Sequence, residues 1–150
     1  MQRDYKQIAL NDLSAYPARK AALRNLQDKI STLQHRFDGL SGASADAVPV
    51  QGGGNRQEDR MIDNIVERER LRLNYEVDKT VVEIMERGLA VLSEDERRIL
   101  LAFAEAQRGG ERYVADRIAA EMSMDRSTIY RIRNDALRQY TIACYGVTDL

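Results

Sequence analysis

The stretch Val114-Ala-Asp-Arg-Ile-Ala-Ala-Glu-Met-Ser-Met-Asp-Arg-Ser-Thr-Ile-Tyr-Arg-Ile-Arg-Asn-Asp-Ala-Leu137 decides the fold. From Ala115, apolar residues fall at Ile118, Ala119, Met122 and Met124, then at Ile129 and Ile132. Residues three and four apart share a helix face, so the pattern predicts two short helices crossing over a small common core, redirected at Met122-Ser123-Met124. Ala119 stands where a bulky side chain would hold the helices apart. Asp125 is placed to cap the second helix, its carboxylate accepting backbone N–H groups near Thr128. Ser123 occupies the turn position that favours glycine, because that position needs a positive φ; serine costs about 1 kcal/mol there.

With Ile129 and Ile132 inward, helix geometry directs Arg126, Ser127, Thr128, Tyr130, Arg131 and Arg133 outward. These residue types reach base edges and phosphates in a major groove. Upstream, Ser93-Glu94-Asp95-Glu96 has the form of a capping box, and the helix it opens presents Ile99, Leu100 and Phe103 before Gly109-Gly110. That helix supplies the third wall, since two short helices alone bury too little to stand. A domain over 93–150 is expected, preceded by a helical oligomerisation region over 1–92.

In that first region the seam Leu71, Tyr75, Asp78, Val82, Met85, Leu89 and Leu92 alternates steps of four and three over a helix predicted for 57–92, with Met61 and Ile65 continuing it less regularly upstream. Such a seam needs a partner: the 17–37 helix folded back, a second copy of the chain, or both. Asp78 is a candidate for setting register, and Gly88 is a weak point in the helix. The earlier helix starts at Pro17 and carries Leu23, Leu26, Ile30, Leu33 and Phe37; the first fifteen residues have only weak periodicity. Between the two helices, residues 38–56 read as a flexible linker rich in small residues. Its Gly52-Gly53-Gly54 run lacks the Lys-Ser/Thr pair of a phosphate-binding loop.

Composition narrows the class. Of 150 residues, 43% are hydrophobic and 31% charged, with a net charge of −1. The charge is uneven: residues 1–37 sum to +4 and 38–110 to −5, while Asp125–Tyr140 holds four arginines against two aspartates. A local basic face on a near-neutral chain is a modest nucleic-acid footprint. No run approaches the length of a membrane span, and no signal-peptide core opens the chain, so a cytoplasmic location without a membrane partner is expected. Cys144 is the sole cysteine, and the sole histidine, His35, sits on a predicted amphipathic helix. Carboxylates fall among arginines at helix-pairing distance, so no enzyme, metal site or cofactor is expected.

The run Leu92–Leu100, the helix ended by glycine, Val114–Arg133 and Ala136-Leu137 together resemble region 4 of bacterial sigma factors. The whole chain, with its basic helix, Gly-rich linker, long helix and C-terminal unit, resembles the ArpU/RinA group of phage-encoded late-gene transcription regulators. This resemblance implies an all-α protein: an N-terminal long-helix hairpin or coiled coil followed by a helix-turn-helix domain. It further implies that Arg126, Ser127, Thr128, Tyr130 and Arg131 face bases, with Arg133 and Arg138 nearer the phosphate backbone. The partners it implies are double-stranded promoter DNA and RNA polymerase. A homodimer through the long helices is expected. Two other readings fit the same elements: a phage small terminase subunit that marks viral DNA for packaging, and a helical adaptor that binds RNA polymerase without DNA.

Overall fold

A computed structural model describes residues 3–43, 54–106 and 109–147, and among these every regular element is an α-helix. The helices are α1 (Tyr5–Ala43), α2 (Gly54–Ala90), α3 (Glu94–Glu105), α4 (Glu111–Met122) and α5 (Arg126–Tyr145). The fold is all-α, as the periodicity predicts. No helix among the described residues is long and apolar enough to cross a membrane.

Both ends of the stretch read as a linker are helical: α1 runs on to Ala43, and α2 opens at Gly54. The part between, with Pro49 and Gly52-Gly53, lies outside the described residues. Pro17 does not open its helix either. It sits inside α1, which begins twelve residues earlier at Tyr5. There Asp4 accepts the backbone N–H of Gln7 at 3.1 Å, which satisfies one of the free donors of the first turn. What holds the segment before Pro17 is burial: Ala9, Leu10 and Leu13 are all core residues.

The chain divides into two compact units, Arg19–Thr80 and a second formed by Met1–Ala18 with Val81–Leu150. In the first unit, Gln57 donates to the carbonyl of Leu40, Asn64 to that of Leu33 and Gln27 to the hydroxyl of Tyr75, each at 2.8 Å. Partner numbers fall as the first rises, so the two segments run antiparallel. Asp78, which interrupts the apolar seam, pairs with Arg19 at 3.1 Å. Arg68 is buried, donates to Gln34 and lies over the ring of Phe37 at 4.8 Å. The aliphatic stems and cation–π contact make arginine an acceptable core residue at this thin seam.

The second unit has two adjoining cores. One gathers Ala9, Leu10 and Leu13 with Met85, Leu89, Leu92, Leu100, Ala104, Ala136, Leu137 and Tyr140. The other holds Ile99, Phe103, Val114, Ala115, Ile118 and Ile129. The predicted capping box is present: Ser93 Oγ accepts the N–H of Glu96 at 3.2 Å, and Glu96 accepts that of Ser93 at 2.9 Å.

Gly88 does not break α2. A methyl group there would meet the sulfur of Cys144 and come within 2.9 Å of the Tyr140 ring, so glycine is what lets these two α5 side chains pack against α2. Burial pushes the Tyr140 phenol and the Cys144 thiol above their ordinary ranges, so both stay protonated beside it. Gly88→Ala should therefore destabilise the protein by about 1–3 kcal/mol through overpacking, despite the better helix propensity of alanine. Thermal unfolding followed by circular dichroism checks this; an unchanged midpoint would refute the close approach.

Candidate nucleic-acid interface

The connection from α4 to α5 is three residues, Ser123–Asp125. Ser123 has φ 55° and ψ 41°, the left-handed conformation expected from its position, and is the only non-glycine residue with positive φ among those described. Its N–H, and that of Met124 at 3.0 Å, bond the carbonyl of Ala119, which closes the last turn of α4. The chain then re-enters helix through the extended Asp125.

Asp125 stands at the N-cap position, but its carboxylate is occupied differently from the expected pattern. It accepts the hydroxyls of Ser127 and Thr128 rather than making the expected side-chain cap to the backbone. Those two hydroxyls hold the carboxyl below the usual aspartate range, Ser127 contributing most. Both hydroxyls are thus donors to Asp125. Toward a nucleic acid they are left with acceptor capacity.

The outward orientation expected of six α5 residues holds only in part. Arg126 is exposed, but its Nε lies 2.7 Å from Asp116 on α4. Tyr130 is half-buried with its ring 5.6 Å from that of Phe103. Arg133 lies over the same ring at 5.0 Å and over Tyr130 at 5.7 Å, with only 17% of its side chain exposed and Glu111 4.0 Å away. Tyr130 and Arg133 therefore face α3 and α4. The reason is geometric: both lie toward the side of α5 that carries Ile129 and Ala136, and the phenol and guanidinium pack against Phe103, which leaves Arg133 Nε buried without a hydrogen-bond partner.

What remains on the open side is a stripe of Ser127, Arg131, Asn134 and Arg138, all exposed and spaced four, three and four residues apart, flanked by the exposed Asp135 and Gln139. It extends about 16 Å along the helix at 1.5 Å per residue. Arg131 and Arg138 have no ion-pair partner among the described residues, whereas Arg98 and Arg117 both turn to Glu121. Asn134 is absent from the residues singled out in the sequence. The i, i+3, i+4 spacing from Arg131 and Arg138 is the signal that finds it.

The stripe offers two planar guanidinium forks with an amide between them. Arginine pairs with guanine O6 and N7, and asparagine with adenine N6 and N7, through two parallel hydrogen bonds each. Compared with protein families, characterised proteins and solved structures, the chain matches none. The chemistry of the site therefore rests on its own residues. Among the described residues no three His, Cys, Asp or Glu side chains are grouped to hold a metal ion.

Proposed function

We propose that the chain is a sequence-specific DNA-binding transcription regulator, with α4, the Ser123 turn and α5 acting as a helix-turn-helix. The observation that carries the reading is the exposed Ser127–Arg131–Asn134–Arg138 stripe with its two unpaired arginines, on a helix braced by Phe103, Ile118 and Ile129. In this reading α5 enters the major groove, Arg131 and Asn134 contact bases, and Arg138 holds a phosphate, while Ser127, whose hydroxyl is donated to Asp125, acts only as an acceptor toward a base edge. Arg126 joins them by exchanging Asp116 for phosphate, a small step because exposed ion pairs contribute little. Arg133 acts as a positioning residue through its stack on Phe103. The resemblance to sigma factor region 4 and to the ArpU/RinA regulators extends the proposal to promoters of phage late genes, in the cytoplasm of a bacterial host, with RNA polymerase beside the regulator. No catalytic step is assigned to the chain.

The test begins with mapping the DNA bound in infected or lysogenic cells and continues with titration on the recovered site. Arg131→Ala should weaken specific binding by about 5- to 150-fold, equivalent to 1–3 kcal/mol, with the fold intact. Affinity should also fall steeply with salt. Equal binding by the variant and the parent would refute α5 as the reader. Sites confined to a packaging start instead of late promoters would favour the terminase reading.

A further inference from the structure

In the unit Arg19–Thr80, α2 has two apolar faces. The inner one, with Asn64, Arg68 and Leu71, is buried, and next to it Tyr75 and Asp78 bond to Gln27 and Arg19. The outer one is Ile62, Val66, Leu73 and Val77, each half or more exposed and Val77 the most at 64%, with Ile65 at its edge. At 100° per residue this strip lies on the opposite side of the helix from Leu71 and Asp78. Ile62 to Leu73 and Val66 to Val77 are both eleven-residue steps, three turns of 3.67 residues, so the strip runs almost straight, crossed midway by the exposed Glu69. Ile65, which the sequence pattern assigns to the inner seam, is thus turned to the outer edge, because the seam's regular spacing begins only at Leu71.

We infer that a second copy of this chain docks on this outer face. Three observations select that occupant. The apolar stretches on either side of Glu69 expose on the order of 80 Å² per residue, about 400 Å² together. At the usual apolar share of a homodimer interface, that corresponds to about 600 Å² per partner, at the lower edge of a specific protein pair. The order of the strip, with steps of four, seven and four, reads the same from either end, so two copies match apolar residue to apolar residue under a two-fold axis. The unit itself is thin: among the described residues Leu71 is its one buried apolar side chain, and a second copy on the outer face would cover α2 from both sides. This inference is independent of the DNA reading, because it concerns a different helix and a different measurement.

The experiment is sedimentation velocity of the full chain over a concentration series, with the parent and with Val66→Ser/Leu73→Ser. The parent should dimerise with a Kd on the order of 10 μM, as expected for so small an interface. The double variant should dimerise at least tenfold more weakly while its helical circular dichroism and thermal midpoint at monomeric concentrations match the parent. As both positions are exposed, loss of fold is not expected; Leu73→Lys alone provides a second variant with the same predicted direction. A parent that stays monomeric to about 100 μM, a ring of higher order, or dimerisation unchanged by the substitutions would each overturn the inference.

Discussion

Replacing Leu13 by alanine should destabilise the protein by about 2–5 kcal/mol, the range for emptying a buried leucine site. Leu13 is 1% exposed and shares one core with Met85, Leu89, Leu137 and Tyr140. Its neighbours come from helices fixed by other contacts, so they collapse only partly into the space left behind. Urea unfolding followed at 222 nm measures the loss from the shift in midpoint at constant slope. A change below about 1 kcal/mol would mean that the segment before Pro17 is an ornament on the unit.

Phe103→Ala should be at least as costly, about 3–5 kcal/mol. The ring is 2% exposed, sits in the core shared by α3, α4 and α5, and carries Tyr130 and the guanidinium of Arg133 on its surface. Its removal opens a cavity and takes away the platform of a side chain whose Nε already lacks a hydrogen-bond partner. The same urea titration checks it, and a loss under 1 kcal/mol would show that α3 does not brace α5.

These two residues also mark how far the sequence can be read. Features set by local chemistry were legible: the Ser93–Glu96 box, the left-handed Ser123 and the start of α5 after Asp125 each depend on a few adjacent residues. Phe103 was recognisable as an inward residue from its spacing with Ile99 and Leu100. Leu13 was not, because the helical spacing of Ala9, Leu10, Leu13 and Tyr16 is short and the partners that bury them lie far along the chain. Within the candidate interface, a helical wheel locates the open side of α5 but cannot foresee that Arg133 folds back onto an aromatic ring. Nor could it foresee that the hydroxyls of Ser127 and Thr128 turn to Asp125. Long and polar side chains choose among neighbours that only the tertiary arrangement supplies. Asn134 was overlooked because arginine dominated the charge pattern around it.

The contact between Asp12 and Tyr145 joins residues 133 positions apart, and the rings of Tyr5 and Tyr145 lie 5.7 Å from each other. The core that supports α5 is therefore complete only when very early and very late segments are present together. During synthesis, residues 9–13 must wait for residues 136–140 to leave the ribosome before their apolar faces are fully covered. Until then Leu10 and Leu13 are covered only in part, and a ribosome that stalls near residue 130 releases a chain that cannot complete this core.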